Sequence, residues 1–80
     1  MSTPRRLAGA RAARVRATSG GTPLAVDGQS VAYVRESWLV EDRWWTEQPL
    51  RRRYWELVSA AGRNLVVYHD LASGRWLRQR

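Results

Sequence analysis

The stretch RRRYWELVSAAGRNLVVYHDL, Arg51 to Leu71, decides the fold. Two runs rich in Tyr, Trp, Val and Leu flank Ala61-Gly62, and this pattern predicts strand, tight turn, strand. Alternation sends Trp55 and Leu57 to one face of the first run and Tyr54 and Val58 to the other. In the second run Leu65 and Val67 oppose Val66 and Tyr68 in the same way. Apolar residues on both faces mean a sheet covered on both sides. Such a sheet curls into a half-barrel, folds its first hairpin over one face, or docks on a partner.

Reading outward, the same grammar repeats. Leu71-Ala72-Ser73-Gly74 predicts a type I turn closed by a glycine at positive φ, followed by a last strand over Arg75–Arg80. Upstream, Thr46–Leu50 contains Pro49 and predicts a connection. Glu36–Trp45 is a longer extended run, with Trp38, Val40 and Trp44 on one face and Leu39 and Trp45 on the other. Thr22–Val26 and Ser30–Arg35 flank Asp27-Gly28, a strong hairpin signal. Sequential hairpins make an antiparallel meander. The fold class expected is therefore all-β, with about four to six short strands in residues 23–80.

Residues 1–22 differ in kind. They hold one leucine, one valine and no aromatic, too little to offset the entropy of ordering. They predict a disordered arm over 1–22, in which Gly20-Gly21 would end any short helix. A helix over Arg5–Ala17 is compatible with the alanine and arginine content but marginal alone. The first residues are rich in Arg, Ala and Ser without an acid, as transit peptides also are. The net charge is +7, and its distribution follows the same boundary. Arg5, Arg6, Arg11, Arg14 and Arg16 precede the first acid, Asp27, whereas nine arginines face seven acids from there on. The arm is the expected nucleic-acid-binding element, through sequence-independent phosphate contacts. No lysine is present, which suits both phosphate recognition and GC-rich coding.

The five tryptophans serve either a small core or a contact surface. A domain this short needs most of them inside, since each buries roughly 150–250 Å². Trp44, Trp55 and Trp76 are expected in the core. Trp38 and Trp45, beside charged neighbours, are the candidate partner-binding tryptophans, together with Arg51, Arg52 and Arg53. Alternation places Arg51 and Arg53 on one face and Arg52 on the other. The arginine run reads equally as a guard against edge pairing.

Catalysis and metal binding find little support. There is no cysteine and one histidine, and a nucleophile needs a base within hydrogen-bond reach. Glu41 and Asp42, adjacent on a strand, point to opposite faces. His69 is expected in a cross-strand pair or in solvent. No enzyme activity, catalytic residue, cofactor or metal is expected. No apolar run is long enough for a membrane span, and the expected location is cytoplasmic.

One combination of motifs resembles a known family. It is Trp38 followed by Trp44-Trp45, then Arg52-Arg53-Tyr54-Trp55, Gly62, Leu65–Asp70 and Ser73-Gly74-Arg75-Trp76. This is similar to a small bacterial domain of uncharacterised function. That domain also forms the extreme C-terminal segment of catalytically inactive, ImuB-type relatives of Y-family DNA polymerases. The likeness spans about Pro23 to Arg80. Leu77 stands where similar sequences usually have Phe. The resemblance implies a role in damage-induced, error-prone DNA synthesis. There the family acts as an adaptor among an inactive recombinase-like protein, the sliding clamp and an error-prone replicative-type polymerase. It implies no polymerase activity. The expected function is a non-catalytic interaction module binding a protein of that complex. The alternative is a direct binder of single-stranded DNA or RNA using the arm and exposed tryptophans.

Overall fold

The computed structural model describes residues 10–42, 45–47 and 49–80. Seven strands follow one another and no helix occurs among the described residues. They are β1 (Arg11–Ala12), β2 (Val15–Ala17), β3 (Pro23–Val26), β4 (Gln29–Asp42), β5 (Leu50–Ser59), β6 (Asn64–Asp70) and β7 (Trp76–Arg78). All pairings are antiparallel, in the order β1-β7-β6-β5-β4-β3-β2. Strands β3 to β7 are the expected meander, curled into a half-barrel.

The turns explain the register. Asp27 (φ 49°) and Gly28 (φ 84°) are both left-handed, as a two-residue type I′ hairpin requires, and Val26 lies opposite Gln29. Ser59 N–H donates to Arg63 C=O at 2.9 Å. This closes a three-residue loop whose last member, Gly62, has φ 85°. That loop fixes Leu57 opposite Leu65 and Trp55 opposite Val67. Asp70 shapes the final turn, its Oδ1 accepting the N–H groups of Ala72 at 3.0 Å and Ser73 at 3.2 Å.

The core lies inside the curl. Val26, Leu57, Leu65 and Val67 are fully buried there, with Val15, Val31, Val34, Trp55 and Trp76 packed against them. Trp55 and Trp76 thus pack against the core as expected, while Trp44 lies outside the described residues. Strand β4 spans two expected segments as one continuous element. The register shifts twice, between Val31 and Tyr33 and between Val34 and Glu36. Bulges bend a strand and raise its twist, so β4 leaves β3 after two paired residues and then follows β5.

Residues 11–17 overturn two expectations. They are neither part of a disordered arm over 1–22 nor helical. β1 pairs with β7, setting Arg11 opposite Arg78 and Ala12 opposite Leu77. β2 pairs with β3, setting Val15 opposite Val26. Between them Ala13 N–H donates to Trp76 C=O at 3.0 Å, and Asp27 N–H to Arg14 C=O at 2.7 Å. The physical reason is the two outer edges of the meander, whose unpaired backbone groups need partners. One bent segment serves both edges and contributes only Val15 to the core. Residues 10–22 therefore belong to the described fold and not to a disordered arm.

Candidate docking surface

The face opposite the core carries a row of rings across the sheet. Trp38 on β4, Tyr54 on β5, Tyr68 on β6 and Leu77 on β7 are direct cross-strand partners in turn. The Trp38 and Tyr54 rings stack nearly parallel, with centroids 5.5 Å apart and planes 3° apart. Tyr54 and Tyr68 lie 4.9 Å apart at 36°. Burial grades along the row: Tyr68 is 4% exposed, while Trp38 at the β4 end is 37% exposed.

Arg52 completes the row. Its guanidinium lies 4.5 Å from the Tyr68 ring centroid, a cation–π distance, and Nη1 donates to the Tyr54 hydroxyl at 3.4 Å. Burial acts against its charge. The Tyr54 hydrogen bond and the attraction of Tyr68, Tyr54 and Asp70 outweigh that, so its pKa is raised. Its Nε is buried without a hydrogen-bond partner, as is Nε1 of Trp55 in the core.

The borders of the row are mixed in charge. Glu36 and Glu56 flank one side, with Arg35 3.9 Å from Glu56, and Arg52 and Asp70 face each other on the opposite side. This outer face is therefore not basic. The arginine run divides as alternation predicts. Arg51 turns to the core-side face and pairs with Glu41 at 3.0 Å. Arg53 shares that face with Leu39 and His69. His69 stacks on its cross-strand partner Trp76 at 4.3 Å and 2°. Of the five candidate partner-binding residues, only Trp38 and Arg52 meet on the outer face. Trp45 lies in the β4–β5 connection and is 65% exposed. Tyr54 and Tyr68 were not singled out from the sequence. Their signal is the Gly62 turn, which fixes the register that sets them opposite each other.

Of the candidate nucleic-acid arginines, Arg5 and Arg6 lie outside the described residues. Arg11, Arg14 and Arg16 stand on or between β1 and β2, exposed, as parts of the fold rather than of a tether. Arg14 and Arg16 line a shallow depression of about 300 Å³ with Ala25, Gly28 and Ser30. Nearby, Asp27 clasps the closing segment. Its Oδ1 accepts the Arg14 N–H at 2.8 Å and its Oδ2 accepts Arg78 Nη1 at 3.0 Å. These bonds, with the nearby charge of Arg11, hold the carboxyl below its ordinary range.

No group of three or more His, Cys, Asp or Glu that could hold a metal occurs among the described residues. No helix long and apolar enough to cross a membrane occurs among them either. No protein-family model, curated protein or solved structure matches the chain. The resemblance to the inactive-polymerase C-terminal domain rests on the motif residues alone.

Proposed function

We propose that the chain is a non-catalytic interaction module that docks a protein of an error-prone DNA synthesis complex on its outer face at Trp38. The carrying observation is the row Trp38–Tyr54–Tyr68, which lies on the sheet face opposite the Val26–Leu57–Leu65–Val67 cluster and runs from the buried Tyr68 to an exposed indole at an open sheet edge. Buried aromatics at the centre of a surface patch are the usual anchors of a protein interface. The acids beside the row disfavour a phosphate backbone there. The association with error-prone synthesis rests on the motif resemblance. The test is direct binding of the full chain to three purified proteins: an inactive recombinase-like protein, a sliding clamp and an error-prone replicative-type polymerase. The expected result is binding to one of them, weakened about tenfold or more by Trp38→Ala with the thermal transition retained. Binding to none, or equal binding by the variant, overturns the reading.

A second reading is supported by Arg14 and Arg16. They stand side by side over a floor of small residues, Ala25, Gly28 and Ser30, open to a phosphate. Single-stranded nucleic acid would then lie along the closing segment, and the aromatic row would take no part.

A further inference from the structure

Strand β4 is paired on one side only for most of its length. β5 lies against Val31–Asp42, whereas β3 holds only Gln29 and Ser30 on the other side. No other described strand adjoins the remainder. The phase of the hydrogen bonds follows from two of them: Ser59 N–H to Arg63 C=O and Leu71 N–H to Arg51 C=O. Odd-numbered residues of β5 therefore turn their backbone groups to β6, and even-numbered ones to β4. Their β4 partners are Glu36, Trp38, Val40 and Asp42. The N–H and C=O groups of Ser37, Leu39 and Glu41 point the other way, to the open edge.

Proteins blunt such edges with proline, lysine, bulges or a cover. Both bulges of β4 precede Glu36. From Glu36 to Asp42 the strand runs in unbroken register over seven residues, with Trp38 and Leu39 exposed at its centre. The outer-face sequence along this edge is Glu36, Trp38, Val40, Asp42: acid, apolar, apolar, acid. A second copy fits it poorly. Antiparallel self-pairing over the whole stretch is centred on Leu39 and sets Glu36 against Asp42 of the copy twice, a like-charge opposition.

We propose that an extended segment of a partner protein, basic at both ends and apolar between, adds to β4 as a further strand along Glu36–Asp42. Backbone bonds to Ser37, Leu39 and Glu41 give affinity. Apolar side chains against Trp38 and Val40, with cations against Glu36 and Asp42, give selectivity. This deepens the docking reading above and rests on it.

The probe is a blocked peptide of sequence RTVTVTR, whose pattern is the same in both strand directions. Amide hydrogen exchange of the full chain is measured with and without it. At ten times its dissociation constant the peptide is expected to slow exchange at Ser37, Leu39 and Glu41 by about tenfold, and to shift tryptophan emission. RTVPVTR, which lacks the central N–H, and ETVTVTE are expected to bind about tenfold more weakly or worse. Unchanged exchange at the three amides overturns the proposal. So does equal binding of the proline peptide, which would mean docking by side chains alone. A peptide-free dimer protecting the same amides gives the edge to a second copy and also overturns it. Leu39→Pro removes one outward N–H and leaves the β5 bonds in place. If it folds, it is expected to lose peptide binding, and if it does not fold, the peptide series decides alone. Binding of a polymerase-complex protein that survives failure of the peptide series leaves the docking reading standing without strand addition. Failure of both removes the docking reading itself.

Discussion

Replacing Asp27 by Asn isolates the clasp that holds the closing segment. Asn tolerates the left-handed backbone of this position (φ 49°) and favours a type I′ turn before Gly28. Its amide oxygen can still accept the Arg14 N–H now bonded at 2.8 Å. The loss is then confined to the charge opposite Arg78, whose side chain is 15% exposed against 32% for Asp27. A hydrogen bond to a charged group contributes about 1.5–3 kcal/mol and an exposed ion pair about 0.2–1 kcal/mol. This half-screened pair lies between them, at about 1 kcal/mol, or roughly 4–8 °C in the melting temperature of a domain of this size. The folded carboxyl titrates below the ordinary value of 3.8, so its contribution is complete at neutral pH. It disappears as the pH falls through the lowered folded pKa. Urea unfolding of the wild type, Asp27→Asn, Arg78→Gln and the double variant forms a cycle whose coupling is expected to be about 1 kcal/mol at pH 7 and to decline as the pH falls below the ordinary value of 3.8. An Asn variant as stable as the wild type at pH 7, or a coupling that ignores pH, refutes the clasp.

Three further outcomes follow from the same geometry. Gly62→Ala is expected to cost about 1–2 kcal/mol, because φ is 85° while nothing lies within 4 Å of an added Cβ. Denaturant midpoints check this, and Gly62→Asn should recover part of the loss. Arg52→Leu removes the cation over Tyr68 and the bond to Tyr54. It is expected to lower stability by about 1 kcal/mol and to alter the near-ultraviolet dichroism of the tyrosines. Single-stranded DNA binding, if carried by Arg11, Arg14 and Arg16, should show a log–log salt slope of about −2. Arg14→Gln with Arg16→Gln should flatten that slope, without any quenching of Trp38.

The meander was legible because three of its four links carry their own turn chemistry: Asp27-Gly28, Ala61-Gly62 and Ser73-Gly74. Period-two alternation then grouped Trp55 with Leu57 and Leu65 with Val67, and the observed register puts both pairs on one face. Residues 11–17 were illegible for a physical reason. They bury little beyond Val15, so no apolar period marks them as strands. What orders them is backbone pairing with edges made elsewhere in the chain, and local composition carries no record of that. The bulges in β4 were equally hidden, since no glycine marks Ala32 or Arg35. The candidate site was legible in part. Trp38 and Arg52 stood out as residue types, but their meeting over Tyr54 and Tyr68 depends on a register that the Gly62 turn sets from a distance.

The closing segment also orders events during biosynthesis. Residues 11–17 are synthesised well before the strand that β1 needs, Trp76–Arg78. Asp27 and Arg78, bonded through their side chains, are 51 positions apart in sequence. The hairpins of the meander form from neighbours and close quickly, whereas this pairing waits until Arg78 has been added. Until then the early segment remains available to other strands, and a nascent chain stalled before Trp76 has no β7 for β1 to pair with. Completion of the fold thus hinges on Trp76–Arg78, and a frameshift or truncation that removes them should send the product to proteolysis rather than yield a shortened but working module.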